Sequence, residues 1–380
     1  MTIRDIAARA GVSAATVSRV LNNPAYRCSS EEVRKRIWQV ARETGYLPNQ
    51  AARMLKMGSR PEAERVRTVD VLVTRSGRQA SNPFFNEMLR CIQGEVHQQR
   101  GMLGSVWYES GFADDRVCRR STAVRMVESL LADSAGARGP SASAGMPVRA
   151  GETATAAPRR DGIVIIGKCR LEAVRVLAAR YEAVVSISRN PGTFVADEVV
   201  CDGARIARLA VDYLVGLGHR YIGYAGECRD DARFRGFQEA LVYHGLSIEI
   251  GNVAECELSE RAGFTAMAAM LKREDRPTAI FCENDMIALG MIRCLARFGS
   301  SYDRPSIIGC DDIEEGQFCR PMLTTIGMPK AEMARHAVNL LFDRMAGGHA
   351  APVRLELDPK LMVRESCFRF SGDERPEYVI

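Results

Sequence analysis

Apolar residues recur at helical spacing from the first residues of the chain. Ile3, Ile6, Ala7 and Ala10 form one face of a short helix. Gly11 follows, where a chain leaving a helix takes a positive φ, and Ser13 stands where it can cap a second helix. That second helix is expected to bury Val17, Val20 and Leu21 and to turn Ala14, Ala15, Ser18 and Arg19 outward. Ser30 predicts the start of a third helix, with Val33, Ile37, Val40 and Ala41 as its buried stripe. Two short helices joined by a glycine-containing turn read as a helix-turn-helix, whose second helix fits the major groove of DNA.

From Val66 onward the period changes. Short apolar runs at Val69–Val73, Gly162–Ile166, Val184–Ile187, Tyr221–Tyr224, Ala279–Cys282 and Ser306–Gly309 read as strands. Amphipathic stretches at 83–99, 203–217, 232–244, 260–272 and 285–298 read as helices between them. Strands alternating with helices predict α/β architecture, with parallel sheets covered on both faces. The units are too many for one small sheet, and two successive doubly wound lobes with a cleft between them fit better. Residues 134–160 are rich in Ala, Gly, Ser, Pro and Thr and are expected to be a disordered surface insertion. Residues 59–67 read as a polar linker.

Charge sharpens the picture at one end. Residues 1–60 hold eleven Arg or Lys and four Asp or Glu, a net +7, whereas the whole chain is +5. The basic excess coincides with the helix-turn-helix, the electrostatic footprint of a DNA reader. At 46% hydrophobic and 26% charged, the composition is that of an ordinary globular protein. No run of 18 apolar residues predicts a membrane span. The N-terminus opens directly on the first helix, without a signal-peptide pattern, so a cytoplasmic protein with no membrane partner is expected. The 12 cysteines are scattered singly, with no C-x-x-C pair, and the 5 histidines lack metal spacing. The cysteines are read as reduced, mostly buried apolar residues, and neither a metal nor a cofactor is expected.

The opening IRDIAARAGVSAATVSRVLNN, the segment GYLPNQAARML and several later blocks resemble the lactose-repressor (LacI/GalR) family of bacterial transcription regulators over almost the whole chain. The resemblance implies a DNA-binding head over 1–58 that ends in a hinge helix at about 49–57. It also implies a core like that of periplasmic sugar-binding proteins over 68–370, followed by a tail at 371–380. Lobe 1 is then expected at about 68–200 and 329–349 and lobe 2 at about 201–328 and 350–370, with crossovers near 200, 328 and 350. Within the head, Ala14 and Ala15 occupy the family's base-choosing positions. Arg19 can grip guanine O6 and N7. Ser13, Thr16, Ser18, Asn22 and Tyr26 suit phosphate contacts. Leu55 matches the leucine that wedges into the minor groove. Thr2, Ile3, Tyr46, Asn49 and Ala52 complete the expected DNA-binding set.

Effector-binding residues are expected where strands end. Asn82 caps the helix after the first strand, and Phe85 stands ready either to stack on a ligand or to pack in the core. Arg233, Asn284 and Asp311 match the family's effector contacts, and an amide and a carboxylate facing an arginine across a cleft suit vicinal hydroxyls. After VVSI many sugar-responsive relatives carry an aspartate, whereas this chain has Ser188 followed by Arg189. The expectation is a homodimeric repressor that binds a palindromic operator and answers to a small polar effector such as a sugar. A nucleobase or organic acid is the alternative effector. An enzyme on this core would need a nucleophile elbow, phosphate loop or dinucleotide fingerprint at a strand end, and none is present. Gly372 and Pro376 interrupt the tail, which has no apolar heptad for a coiled coil.

Overall fold

The computed structural model describes residues 3–22, 30–43, 66–75, 82–113, 120–136, 159–192, 195–298, 304–370 and 377–378. The chain divides into two compact units, Met1–Arg65 and Val66–Ile380.

The first unit contains helices α1 (Ile3–Ala10), α2 (Ala14–Asn22) and α3 (Glu31–Glu43). Gly11 has φ +65°, the left-handed conformation that lets the chain turn sharply between α1 and α2. Ser13 Oγ accepts the Thr16 amide at 3.1 Å and Ser30 Oγ accepts the Val33 amide at 3.1 Å, so both expected caps are made. Ile6, Ala7, Ala10, Val17, Val20 and Ile37 are buried against one another. This small core is what fixes the angle between α1 and α2.

The second unit begins with β1 (Thr68–Val73), α4 (Pro83–Gln98), β2 (Met102–Tyr108), α5 (Arg120–Gly136), β3 (Arg160–Ile166), α6 (Leu171–Arg180), β4 (Tyr181–Ser188) and β5 (Asp197–Val200). There follow α7 (Gly203–Gly216), β6 (Ile222–Gly226), α8 (Ala232–Tyr243), β7 (Val253–Glu255), α9 (Glu260–Met270), β8 (Ala279–Cys282), α10 (Asp285–Phe298) and β9 (Ser306–Asp311). The remainder is α11 (Glu315–Phe318), β10 (Thr324–Gly327), α12 (Lys330–Met345), β11 (Arg354–Glu356), β12 (Lys360–Met362), β13 (Phe368–Arg369) and β14 (Glu377–Tyr378).

Two six-stranded sheets result. The first runs β11-β5-β4-β3-β1-β2 and is parallel throughout. The second runs β12-β10-β9-β8-β6-β7 and is parallel except for β12 on β10. Both have the 2-1-3-4-5 order of a doubly wound sheet, so each has a switch point where loops diverge beyond the carboxyl ends of its first and third strands. The central strands are buried on both faces: Val71, Leu72, Val73, Val164, Ile165, Tyr224, Ile280 and Phe281 are all fully buried.

The chain passes between lobes at Cys201–Asp202 and at Met328–Pro329, close to the expected 200 and 328. The third passage corrects the expectation. β11 pairs with β5 of the first sheet, Leu355 opposite Val199, so the chain leaves lobe 1 between Glu356 and Lys360 and not near 350. Residues 350–356 therefore belong to lobe 1. The physical reason is the open edge of β5, reinforced by Arg344, whose guanidinium grips both Asp197 oxygens at 2.7 and 2.6 Å. The expected insertion is also trimmed, because α5 continues to Gly136 and β3 begins at Arg160. Residues 137–158 lie outside the described residues, as do 44–65, which include the expected hinge helix and linker. In the tail, Glu377–Tyr378 pairs antiparallel with Phe368–Arg369.

Candidate functional sites

On the head, α2 carries the candidate base readers. Ala15 and Arg19 are exposed on it. Ala14 departs from the expected outward face, because it is half-buried against the small core. Ser13 is exposed and shares a 2.9 Å hydrogen bond with the Thr16 hydroxyl, so its side chain is engaged in the cap. Ile3 opens α1 and Ser18 and Asn22 lie on α2, but their side chains lie outside the described residues. Thr2, Tyr26, Tyr46, Asn49, Ala52 and Leu55 lie outside them altogether.

The second candidate site is built where strands end. Asn82 caps α4, its Oδ1 accepting the Phe84 amide at 3.0 Å, with Pro83 at the first helical position where no amide is needed. Phe85 is only 5% exposed and lies in the main core, edge-on to Phe84 at 5.3 Å. The core reading of Phe85 therefore holds. The aromatic face that meets a charged group is that of Phe84, on which the Arg189 guanidinium lies 4.3 Å from the ring centroid. Helical rotation places neighbouring residues about 100° apart, so only one of the two rings can face the strand ends.

Arg233 corrects a second expectation. It does not face an open cleft: its side chain is 1% exposed, in the first turns of α8. Nε donates to Asp231 Oδ1 at 2.9 Å, Nη2 to Asp231 Oδ2 at 3.0 Å, and Nη1 to the Glu283 carbonyl at 2.7 Å. Nη2 also makes a tight contact with Glu283 Oε1. Arg233, Asn284 and Asp311 all sit on lobe 2, so the arginine is not opposed to the other two. It is a buried charge paired by its own lobe, as a guanidinium out of water must be. Burial opposes ionisation of Asp231, yet the Arg233 guanidinium wins and holds its carboxyl well below the usual carboxylate range. Burial pushes the Glu283 carboxyl up to about 7, against the pull of Arg233. Glu227, Asp231 and Glu283 bring carboxylate oxygens within 4.8 Å of one another, and the Arg233 guanidinium supplies the positive charge there.

Asn284 is 2% exposed and caps α10, its Oδ1 accepting the Ile287 amide at 2.9 Å. Asp311 ends β9 at 2% exposure with φ +123°. Its carboxylate pairs with Arg189, the residue after Ser188. Ser188 Oγ accepts the Asn190 amide at 2.9 Å, turning the chain so that Arg189 points across to lobe 2. The arginine facing a carboxylate across the cleft is thus Arg189.

Further links follow the same pattern. Arg75, after β1, meets Glu227 at 3.0 Å. Lys168, after β3, donates to the Asp230 carbonyl at 2.8 Å, and Arg170 meets the Asp230 carboxylate at 3.3 Å. Asn190 Oδ1 accepts the Ala232 amide at 2.8 Å. Lys330, at the start of α12, donates to the carbonyls of Asp311 and Asp312 and pairs with Glu87 at 2.9 Å. In these ion pairs between lobes the cation stands on lobe 1 and the anion on lobe 2. The sequence reading missed Arg75, Lys168, Asn190 and Lys330. The available signal was their position directly after a strand or at a crossover.

Two cavities border this region. One of about 370 Å³ lies beyond β3 and β4 and is lined by Lys168, Arg170, Ser186, Ser188, Asn190 and Glu198, among others. The other, about 860 Å³, is an open groove bordered by Glu87, Arg90, Asp312, Glu314, Lys330 and Glu332. Ser188 lines the first. Arg233, Asn284 and Asp311 line neither.

Comparison with known proteins supplies the context. Residues 2–49 match the family described as bacterial regulatory proteins, lacI family, and residues 211–367 match a periplasmic binding protein-like domain. The chain is 30% identical to the HTH-type transcriptional repressor CytR of Escherichia coli over 382 residues, covering 96% of each chain. It is 28% identical to the HTH-type transcriptional repressor PurR of Aliivibrio salmonicida, over 97% of this chain and 99% of the relative. In fold it is similar to a transcriptional regulator CelR–cellobiose complex, with TM-score 0.62, 24% identity and coverage of 97% of this chain and 100% of that one. It is likewise similar to the Lac repressor dimer bound to operator and the anti-inducer ONPF, with TM-score 0.60, 22% identity and coverage of 96% and 98%. Near-complete coverage at this identity, with head and core matched in order, settles membership: the chain belongs to the lacI family of bacterial regulatory proteins and is a transcription regulator, not an enzyme.

Proposed function

We propose that the chain is a cytoplasmic repressor that binds a palindromic operator as a homodimer, and that a small polar effector held between its two lobes changes that affinity. The observation that carries this reading is the union, in one chain, of a capped helix-turn-helix with Arg19 exposed on its second helix and two sheets joined beyond their strand ends by the pairs Arg189–Asp311 and Arg75–Glu227. In the head, Arg19 reads a guanine, Ala15 bears on base edges, and Ser13, Thr16, Ser18, Asn22 and Tyr26 set register on phosphates. The expected hinge, with Asn49, Ala52 and Leu55, enters the minor groove. Thr2, Ile3 and Tyr46 complete the contact. In the cleft, Asp311 accepts hydrogen bonds from the effector and Ser188 offers a hydroxyl at the end of β4. Asn82, Phe85, Asn284 and Arg233 shape and brace the walls. A sugar is the favoured effector, in keeping with the cellobiose of the structural neighbour. Coupling between cleft and head follows from linkage: a ligand that prefers one lobe arrangement shifts operator affinity by the same factor that operator shifts ligand affinity.

The test begins with a thermal-shift screen of sugars, nucleosides and organic acids, since a specific ligand raises Tm by mass action. The hit is then titrated against operator binding of wild type and Asp311→Asn, an isosteric change. Arg233→Ala is unsuited to this purpose: it would leave Asp231 and Glu283 as unpaired buried carboxylates and cost about 3–5 kcal/mol of stability. Asp311→Asn should bind operator like wild type and lose its response to the hit. A variant that responds at wild-type ligand concentrations would remove Asp311 from the effector site.

A further inference from the structure

The carboxylate assigned above to the effector is already held by a side chain of the protein. Arg189 leaves the carboxyl end of β4 in lobe 1 and reaches Asp311 at the end of β9 in lobe 2. Its guanidinium meets three walls: the Asp311 carboxylate, the face of the Phe84 ring at 4.3 Å, and the Met328 sulfur, 3.0 Å from Nε, at the second crossover. The side chains of Arg189 and Asp311 are 12% and 3% exposed. A carboxylate opposite an aromatic face is how a bound guanidinium is recognised, since one supplies charge-assisted hydrogen bonds and the other a negative quadrupole. Arg75, Lys168 and Arg170 pair with Glu227 and Asp230 across the same cleft, so the lobes are drawn together around this seat by the chain's own charges.

We propose that Arg189 is a tethered occupant of the effector cleft, a specificity-determining residue that competes with the effector for Asp311. An effector then succeeds only by presenting hydrogen-bond donors to Asp311 that replace the guanidinium. Its apparent affinity is lowered by the fraction of molecules in which Arg189 is seated. The consequence for the effector rests on the proposed function. The seat itself does not.

The seat is tested with methylguanidinium, which restores all but one methylene of what Arg189→Ala removes. Isothermal titration with methylguanidinium chloride, with sodium chloride as the ionic-strength control, is carried out on wild type, Arg189→Ala and Arg189→Ala/Asp311→Asn. Arg189→Ala should bind one methylguanidinium saturably, at least about tenfold more tightly than wild type, whose seat is filled. The double variant should lose that binding. If Arg189→Ala does not fold, Arg189→Gln, which keeps the bulk and removes the charge, is titrated in its place. Equal binding by wild type and variant, or no saturable binding by the folded variant, overturns the proposal. Neither effector nor operator enters this measurement. A failed rescue therefore leaves Asp311 available as an effector contact, and an effector response retained by Asp311→Asn, which would remove Asp311 from the effector site, leaves the seat intact.

Discussion

His219 is an imidazole without access to water. It is fully buried between lobe 2 strands, with Nδ1 2.9 Å from the Thr278 hydroxyl and Nε2 3.0 Å from the Ser306 hydroxyl and 3.1 Å from the Phe368 carbonyl. Burial lowers its pKa from 6.5 to about 4. A base whose folded pKa is depressed binds fewer protons folded than unfolded between those values. Stability contributed by the neutral imidazole is therefore whole above pH 6.5 and is lost as pH falls toward 4, by roughly 3 kcal/mol over the window. Paired carboxylates such as Asp231 add their own loss at lower pH. Urea unfolding of wild type and His219→Gln across pH 4–7 separates the two. The wild-type curve should fall more steeply than the variant's between 6.5 and 4, and parallel curves would mean that His219 is not the acid-sensitive group. The burial of Arg233 belongs to the same scale. Its flanking sequence shows Asp231 two residues earlier, but Glu283 is fifty residues away and closes the pair only in the fold. A residue-type match can mark such a position without showing what already holds it.

The packing of α9 on α10 in lobe 2 depends on two glycines. A methyl added at Gly290 of α10 would lie 1.9 Å from the Glu260 carbonyl oxygen, and one at Gly263 of α9 would lie 2.1 Å from that of Ile287. The two helices thus meet backbone to backbone, and a side chain at either glycine must push them apart. Gly290→Ala should destabilise by about 1–3 kcal/mol through overpacking, outweighing the gain of up to about 1 kcal/mol that alanine brings to a helix interior. Gly94 is the control: it is exposed on α4 with nothing within 4 Å of an added methyl, so Gly94→Ala should raise stability by about 0.5–1 kcal/mol. Thermal unfolding that moved both variants in one direction would contradict this account of α9 and α10. The elements that could be read from sequence are the ones with a strong period. The five helices and six strands predicted from Val66 onward all form, within a few residues at their ends. β2 was missed because MLGSVWY is half-buried at a sheet edge and shows neither a clean alternation nor a continuous apolar run. β10 was missed because two of its four residues are threonines, buried by pairing with neighbours and not by hydrophobicity. β11 has three residues, too few to show a period, and its pairing with β5 is what moved the last crossover.

At the scale of the whole chain, charge and fold divide the labour. The head is basic and the core is near neutral. No helix among the described residues is long and apolar enough to cross a membrane. The order of the two sheets was not written in any single segment, but the alternation of strands and helices was, and two lobes follow from too many units for one sheet. The cleft residues were legible by position, at strand ends, whereas their partners were not, because each pair joins loops far apart in sequence. For the proposed regulator a palindrome needs two heads. The most direct measurement is selection of duplex DNA from a random pool by the full chain, followed by sequencing of the enriched sites. The account predicts an inverted repeat of two half-sites, with affinity that falls steeply as salt rises because several phosphates are neutralised. Enrichment of no sequence, or of a single unrepeated half-site, would contradict it.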